Sequence, residues 1–159
     1  MKRTLMRRQV LKIVGGMALS PWPPPAASAQ ADGVQQTVAA LLAATEEGSL
    51  LQIDLEDLCH TLKLCGSSPV SFTVTDHDVD KVLGACRNAL ARMPSHKVKA
   101  AVLVCSGNGK NFRLTNCAEV FRVIRNTVHE STYLMFGVVS DSTLLDAMRV
   151  SWLAGAPDG

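Results

Sequence analysis

The chain has 159 residues, 47% of them hydrophobic and 4% aromatic, with 16 Lys and Arg against 14 Asp and Glu. That length supports one domain able to bury about two-thirds of its unfolded surface, and the composition excludes a multidomain enzyme, a collagen-like or disordered chain and a coiled coil. The net charge of +2 does not mark a nucleic-acid binder: Lys2, Arg3, Arg7, Arg8 and Lys12 stand in the first 29 residues, which hold no acid, and residues 30–159 carry 11 cations against 14 anions. A mildly acidic body offers no basic face to a phosphate backbone.

Residues 1–29 have the three parts of an export signal. A basic start precedes the mainly apolar stretch Val10 to Leu19, and a Pro-rich end closes on Ala27-Ser28-Ala29, predicting cleavage after Ala29. Ten helical residues reach only about 15 Å, half of a hydrocarbon core, and Lys12 interrupts them, so no transmembrane span is expected. Arg7-Arg8-Gln9-Val10-Leu11-Lys12 resembles the twin-arginine export motif. That route carries folded cargo, which implies a periplasmic destination for a body that folds first; an inefficient or uncleaved signal would instead leave the protein at the cytoplasmic face of the inner membrane.

The body alternates helices and strands. Val34, Val38, Leu41 and Leu42 at i, i+4, i+7 and i+8 predict a helix over Gly33 to Ala44, with residues 30–50 as helix and linker. Leu50 to Leu58 reads as a loop entering a short helix that stops near Cys65-Gly66-Ser67-Ser68-Pro69. Val70 to Val74 alternates as a strand. Asp76 or Asp78 can cap the next helix, whose stripe of Val79, Val82, Leu83, Cys86, Leu90 and Met93 runs up to Pro94. Lys99 to Cys105 is apolar enough for a strand covered on both faces. Asn116 with Glu119 suits a helix start, and Cys117, Val120, Phe121, Ile124 and Val128 form its buried face. Strands are expected over Tyr133 to Val139 and Met148 to Ala154, with 156–159 as a tail. The fold class is therefore α/β (α+β), a four-stranded mixed sheet packed with helices.

Chemistry-bearing residues are sparse. Of the five cysteines, Cys86, Cys105 and Cys117 fall on apolar faces; Cys59-His60 with Cys65 lacks the spacing of a metal site, and a Cys59–Cys65 disulfide is the better alternative. His60, His77, His96 and His129 have no evident partner set, and Ser140-Asp141-Ser142 reads as a turn. Ser106-Gly107-Asn108-Gly109-Lys110 follows a strand but lacks the spacing and hydroxyl of a phosphate loop, so a flexible connection is the simpler reading. Neither a metal nor a cofactor is implied.

Phe136-Gly137-Val138-Val139, Asp141, Leu144, Asp146 and Arg149-Val150 resemble the last two strands and intervening loop of the C-terminal domain of the FtsZ/tubulin family. Ala101 to Val104 with Ser106 to Gly109 resembles an earlier strand and turn of that domain, and Gly33-Val34-Gln35 the end of its central helix. Gln52-Ile53-Asp54-Leu55-Glu56-Asp57-Leu58 resembles the family's synergy loop, Asn-x-Asp-x-x-Asp, with Gln52 in place of Asn, an added Glu56 and Cys59 where a basic residue is common. The likeness covers about Gly33 to Gly155 and implies, over residues 51–155, the two-layer sandwich of that C-terminal domain, preceded by a helix, without the nucleotide-holding GTPase domain.

By that resemblance Asp54 and Asp57 match the acids that act in trans on the nucleotide of the next subunit, where placed charge and hydrogen-bond acceptance position the attacking water. No autonomous GTPase is expected, and an acid-rich helix start favoured by the helix dipole accounts for the same residues without catalysis. Two functions stay open. One is an interaction module that docks on or caps a cell-division subunit of the FtsZ family, or self-associates through the Gly33–Ala44 helix, one flank of which the missing domain leaves bare. The other is an exported ligand-binding or enzymatic domain on the same scaffold, beside which stands an inactive truncated paralogue.

Overall fold

The computed structural model describes residues 2–21, 27–93, 97–109 and 112–158, with the backbone alone for 20–21 and 27–33. Pro94, His96, Lys110 and the Pro-rich segment 22–26 lie outside the described residues. Helix α1 (Lys2–Gly15) leads through a two-residue strand β1 (Ser20–Pro21) to α2 (Ala27–Ala43) and α3 (Leu55–Leu64). Strand β2 (Val70–Asp76), α4 (Val79–Arg92), β3 (Ala100–Gly107), α5 (Leu114–Thr127), β4 (Tyr133–Ser140) and β5 (Met148–Gly155) follow.

The sheet order is β1-β2-β5-β3-β4. Strand β5 is antiparallel to both β2 and β3, while β3 and β4 run parallel. This is the expected mixed sheet of four full strands, extended by Ser20–Pro21 pairing in parallel with Val70–Ser71 at the edge. All eight residues of β3 are buried, and its alternation divides the core in two. Ala101, Leu103 and Cys105 join the cluster formed with α4 and α5, where Phe72 stacks on Trp152 with ring centroids 4.1 Å apart. Ala100, Val102 and Val104 join the cluster on the other face, formed with α1, α2 and α3. A strand walled on both sides needs apolar residues at every position, which is why its sequence shows no alternation.

Several boundaries differ from the sequence reading. Helix α2 starts at Ala27, six residues before Gly33, because the Ala-rich run ahead of Gly33 favours helix enough to carry one internal glycine. Helix α5 starts at Leu114 after an N-cap Arg113 that makes no side-chain cap bond, so Asn116 lies inside the first turn instead of opening it. Of the two candidate caps for α4, Asp78 is the N-cap and accepts from the Asp80 amide, while Asp76 accepts from the amide of Asp78.

The bare flank expected on α2 is absent among the described residues. Leu41 is buried and Val34, Val38 and Leu42 are half-buried, since α2 lies across the sheet strands. The exposed large apolar side chains sit elsewhere, at Leu5, Leu11, Leu50, Leu51, Leu114, Tyr133 and Leu145. All five cysteines are free and buried. The Cys59–Cys65 bridge is not formed, because the Cys59 thiol faces the Met6 carbonyl at 4.0 Å and the Cys65 thiol the Ala100 carbonyl at 3.5 Å.

Candidate functional site

The segment between α2 and α3 carries the two candidate acids, and its shape follows from a series of local bonds. Thr45 Oγ1 donates to the Leu42 carbonyl at 2.6 Å and Ser49 Oγ to the Ala43 carbonyl at 3.0 Å, adding a second bond to carbonyls that already accept the Thr45 and Glu46 amides at the end of α2. Gly48 turns the chain with φ of +89°. Leu51 then pairs with Val138 on the outer edge of β4, the Leu51 amide donating at 3.1 Å and the Val138 amide returning at 3.0 Å. Gln52 Nε2 donates to the Thr45 carbonyl at 3.1 Å, and the Ile53 amide donates to the Ala44 carbonyl at 2.8 Å.

Ile53 is buried against Gly137 of β4. A Cβ at residue 137 would stand 2.8 Å from Ile53 Cδ1 and 2.9 Å from the Ala44 Cβ, so the missing side chain is what lets the loop lie this close to the sheet. The loop is therefore clamped at Leu51 and Ile53, immediately before Asp54.

Asp54 is the N-cap of α3. Its backbone is extended at φ −70° and ψ 133°, and Oδ1 accepts from the amides of Glu56 at 2.8 Å and Asp57 at 3.2 Å. No donor among the described residues reaches Oδ2. Asp57 stands in the first turn of the same helix, exposed like Asp54. The structure thus brings both sequence-predicted acids to one helix start at the surface, with Glu56 between them. An acid-rich first turn complements the positive end of the helix dipole, and three exposed carboxylates there leave acceptor oxygens facing outward. A cleft of about 400 Å³ opens beside them, lined by Lys2, Arg3 and Met6 of α1 with Gln52, Asp54 and Glu56.

The register places other loops at the same end of the sheet. Gly107 pairs with both Ser140 and Met148, and Asp76 pairs with Met148, so the ends of β2, β3 and β4 and the start of β5 lie side by side. Leu51 is clipped two residues before the end of β4. Leu50 and Leu51 are exposed on the clipped segment, and Leu114 and Leu145 are exposed in the segments that follow β3 and β4. Leu145 adopts the left-handed region at φ 40°, a conformation strained for a γ-branched residue, and Asp146 follows at φ 67°.

The remaining candidates find structural roles. A Cβ on Gly107 would meet the Phe112 ring at 2.6 Å, and Gly109 has φ of +79° with Asp146 Oδ1 only 1.8 Å from where its Cβ would stand. Packing accounts for both glycines, and a carboxylate beside Gly109 opposes a phosphate. Ser140-Asp141-Ser142 is a turn, in which Asp141 Oδ1 accepts from the Thr143 amide at 3.0 Å and from its hydroxyl at 2.6 Å. His129 Nδ1 lies 2.7 Å from Ser131 Oγ, His60 is exposed on α3 and His77 exposed before α4. No cluster of metal-ligating side chains occurs among the described residues.

The thiols are held protonated where burial dominates. Cys65 and Cys86 are each pushed up to about 12, and Cys59 is raised by its burial, with Lys63 opposing. Cys105 and Cys117 share a hydrogen bond that raises the former and lowers the latter.

The sequence reading did not foresee the contact made by α1. Val10 and Val14 are buried in the cluster that contains Leu58, Cys59 and Leu62 of α3. Arg7 pairs with Glu46, and Arg3 reaches Glu46 at 3.2 Å and Glu47 at 3.6 Å. The available signals were the i, i+4 spacing of Val10 and Val14 and the complementary charges at Arg3, Arg7, Glu46 and Glu47. No described helix is long and apolar enough to cross a membrane.

No family model and no curated protein sequence matches the chain. Solved structures do. A point mutant of FtsZ from M. jannaschii superposes over 80% of this chain and 39% of its own, with a TM-score of 0.67 at 17% identity. The empty FtsZ dimer of M. jannaschii covers 92% of this chain and 42% of its own, with a TM-score of 0.61 at 15% identity. CetZ from Methanosaeta thermophila covers 79% and 36%, with a TM-score of 0.56 at 14% identity. This chain spans less than half the length of each, and the likeness is one of fold: it has the mixed-sheet architecture of the C-terminal-domain-like part of an FtsZ- or CetZ-type chain.

Proposed function

We propose that this chain is an interaction module that docks end-on against an FtsZ-type subunit, presenting Asp54 and Asp57 to a nucleotide held by that partner and offering no nucleotide pocket of its own in return. A filament that receives it stops growing at that end. The observation that carries the reading is the clamped loop: Leu51 and Ile53 fix the backbone to β4, so Asp54 stands exposed and pre-organised at the start of α3, a few residues after exposed Leu50 and Leu51. Pre-organisation lowers the ordering cost of docking, and exposed Leu50 and Leu51 on the same loop supply apolar contact area. In trans, Asp54 and Asp57 would assist hydrolysis only through the charge and acceptor oxygens that they place against the partner's nucleotide. Self-association through the same end is the second form of this contact. The twin-arginine-type leader puts the encounter at the cytoplasmic face of the inner membrane, before a folded chain is carried to the periplasm.

The test uses the chain from Gln30 with a filament-forming FtsZ. Substoichiometric addition is expected to shorten filaments in electron micrographs and to pellet with them in a GTP-dependent manner. Unchanged filament length with no pelleting overturns the reading. Calorimetry of the chain alone with GTP and magnesium is expected to give no heat of binding, and a micromolar Kd would show a nucleotide site in this chain and end the capping argument.

A further inference from the structure

From the way α1 lies on the domain, we infer that it is a releasable cover, an autoinhibitory strap that keeps the α3 face and the Asp54 loop from docking until it lifts. The inference rests on the docking reading above. Three observations place α1 along one wall of the site and across the face of α3, while Asp54, Glu56 and Asp57 themselves stay exposed beside it. The first two turns of α1 contribute Lys2, Arg3 and Met6 to the very cleft lined by Gln52, Asp54 and Glu56. Cys59, on the second turn of α3, faces the Met6 carbonyl. Further along, Val10 and Val14 bury themselves against the cluster of Leu58 and Leu62, and the Ala18 amide donates to the Ser67 carbonyl at 2.7 Å beyond the end of α3.

The chemistry of the contact matches its position. The body of the protein is acidic, and Glu46, Glu47, Asp54 and Glu56 gather at this corner. Lys2, Arg3 and Arg7 neutralise that field with α1 in place, so the acids that a nucleotide-bearing partner would meet are screened from within the chain.

The charged part of the contact is weak, and its apolar part is confined to one face of α1 and the turn after it. The ion pairs are formed by half-exposed or exposed side chains, a class that adds little to stability. The hold therefore rests on apolar packing, with Val10 and Val14 buried and Met6, Ile13, Met17 and Leu19 partly buried beside them, while Leu5 and Leu11 stay on the outer surface. Val10 and Arg7 belong to the twin-arginine-like motif, so a receptor that grips the motif must lift α1, and what exposes the leader also frees the α3 face beside the loop. Cover and docked partner are mutually exclusive states whose populations shift together.

The test keeps the full chain in three forms. Wild type is compared with a released form, Val10→Asp with Val14→Asp, which puts charge where α1 is buried. A locked form carries Met6→Cys, whose thiol is joined to Cys59 by oxidised glutathione. Trp152, stacked on Phe72 in the opposite core, reports by fluorescence that all three remain folded.

Maleimide labelling of Cys59, checked against Cys59→Ser, is expected to be about tenfold or more faster in the released form than in wild type, because opening controls access to a covered thiol. The released form is expected to pellet with FtsZ filaments, and the locked form to do so only after reduction. Equal labelling of wild type and released form overturns the cover. Equal pelleting of locked and released forms also overturns it and leaves the docking reading intact. Absence of all three forms from the pellet, with Cys59 unmasked in the released one, refutes the docking reading and the autoinhibition with it.

Discussion

Asp54 performs a structural task that can be separated from any functional one by choice of substitution. Its Oδ1 accepts from the amides of Glu56 and Asp57, two of the donors that the start of α3 leaves without intrahelical partners. Asp54→Ala removes that acceptor. Both amides are at the surface, so water replaces part of the loss, and the expected cost is about 1 kcal/mol, the usual value for an N-cap. The lost charge at the helix start adds roughly 0.3–1 kcal/mol at low salt. For a chain of this length, that total corresponds to a fall in Tm of roughly 2–8 °C. Asp54→Asn keeps an acceptor oxygen and gives up only the charge, so its Tm should fall by less than half as much. Thermal melts followed by circular dichroism provide the comparison, with the same proteins then assayed for their effect on filament GTPase activity. If the carboxylate acts in trans by its charge, Asn and Ala fail alike in that assay while differing in stability. A melt in which Asn falls as far as Ala, or in which Ala is indistinguishable from wild type, refutes the capping account of this residue.

Gly137→Ala should destabilise by about 1–3 kcal/mol through overpacking against Ile53 and the rigid Ala44 Cβ, and adding Ile53→Val should recover part of the loss in a double-mutant melt because the two sites share one contact. Alkaline pH should weaken the fold in a defined window. Cys65 and Cys86 rise from an ordinary 9.0 to about 12 in the folded state; the folded thiols retain protons that the unfolded chain releases, so their contribution is intact below pH 9 and is lost between 9 and 12, with a slope of about 1.4 kcal/mol per pH unit for each thiol. Urea titrations at several pH values check this, and Cys65→Ala should flatten the slope. Arg7→Lys with Arg8→Lys is expected to abolish export while leaving the charge unchanged, because the motif is read as an arginine pair; equal periplasmic signal from tagged wild type and variant in fractionated cells would show another route.

Much of the fold was legible because burial on both faces of the sheet leaves a dense signal. The apolar run of β3 and the stripes of α4 and α5 are written in adjacent residues, and they were read with nearly the observed bounds. The misplacements came where small or polar residues carry backbone pairing. Ser106 and Gly107 extend β3 because they bond to β4 and β5 on either side, a fact set by strands distant in sequence. The start of α5 was misread for a related reason. Asn116 and Glu119 have the spacing of a capping box, yet extended Arg113, at φ −121° and ψ 146°, opens the helix earlier without any side-chain cap.

The candidate site divides along the same line between local and distant information. Asp54 and Asp57 stand out by the resemblance of Gln52 to Leu58 to the family's Asn-x-Asp-x-x-Asp loop, and locally they read as an acid-rich helix start. What makes them a site is non-local. Gly137 and Val138 lie on a strand far along the chain, and only their approach to Ile53 and Leu51 turns an acidic helix start into a fixed one. The sequence showed a Phe-Gly-Val-Val strand, and the need for its glycine becomes physical once Ile53 and Ala44 are found against it. The N-terminal segment is the converse case. Its basic and apolar residues were read as an address alone, but Val10 and Val14 share a helix face and Arg7 finds Glu46. If an export receptor reads the arginines, one pattern of residues would serve two binding partners, that receptor and the domain that buries the valines, because a helix presents different faces to each. The same segment can therefore be both leader and cover only if it does so in turn.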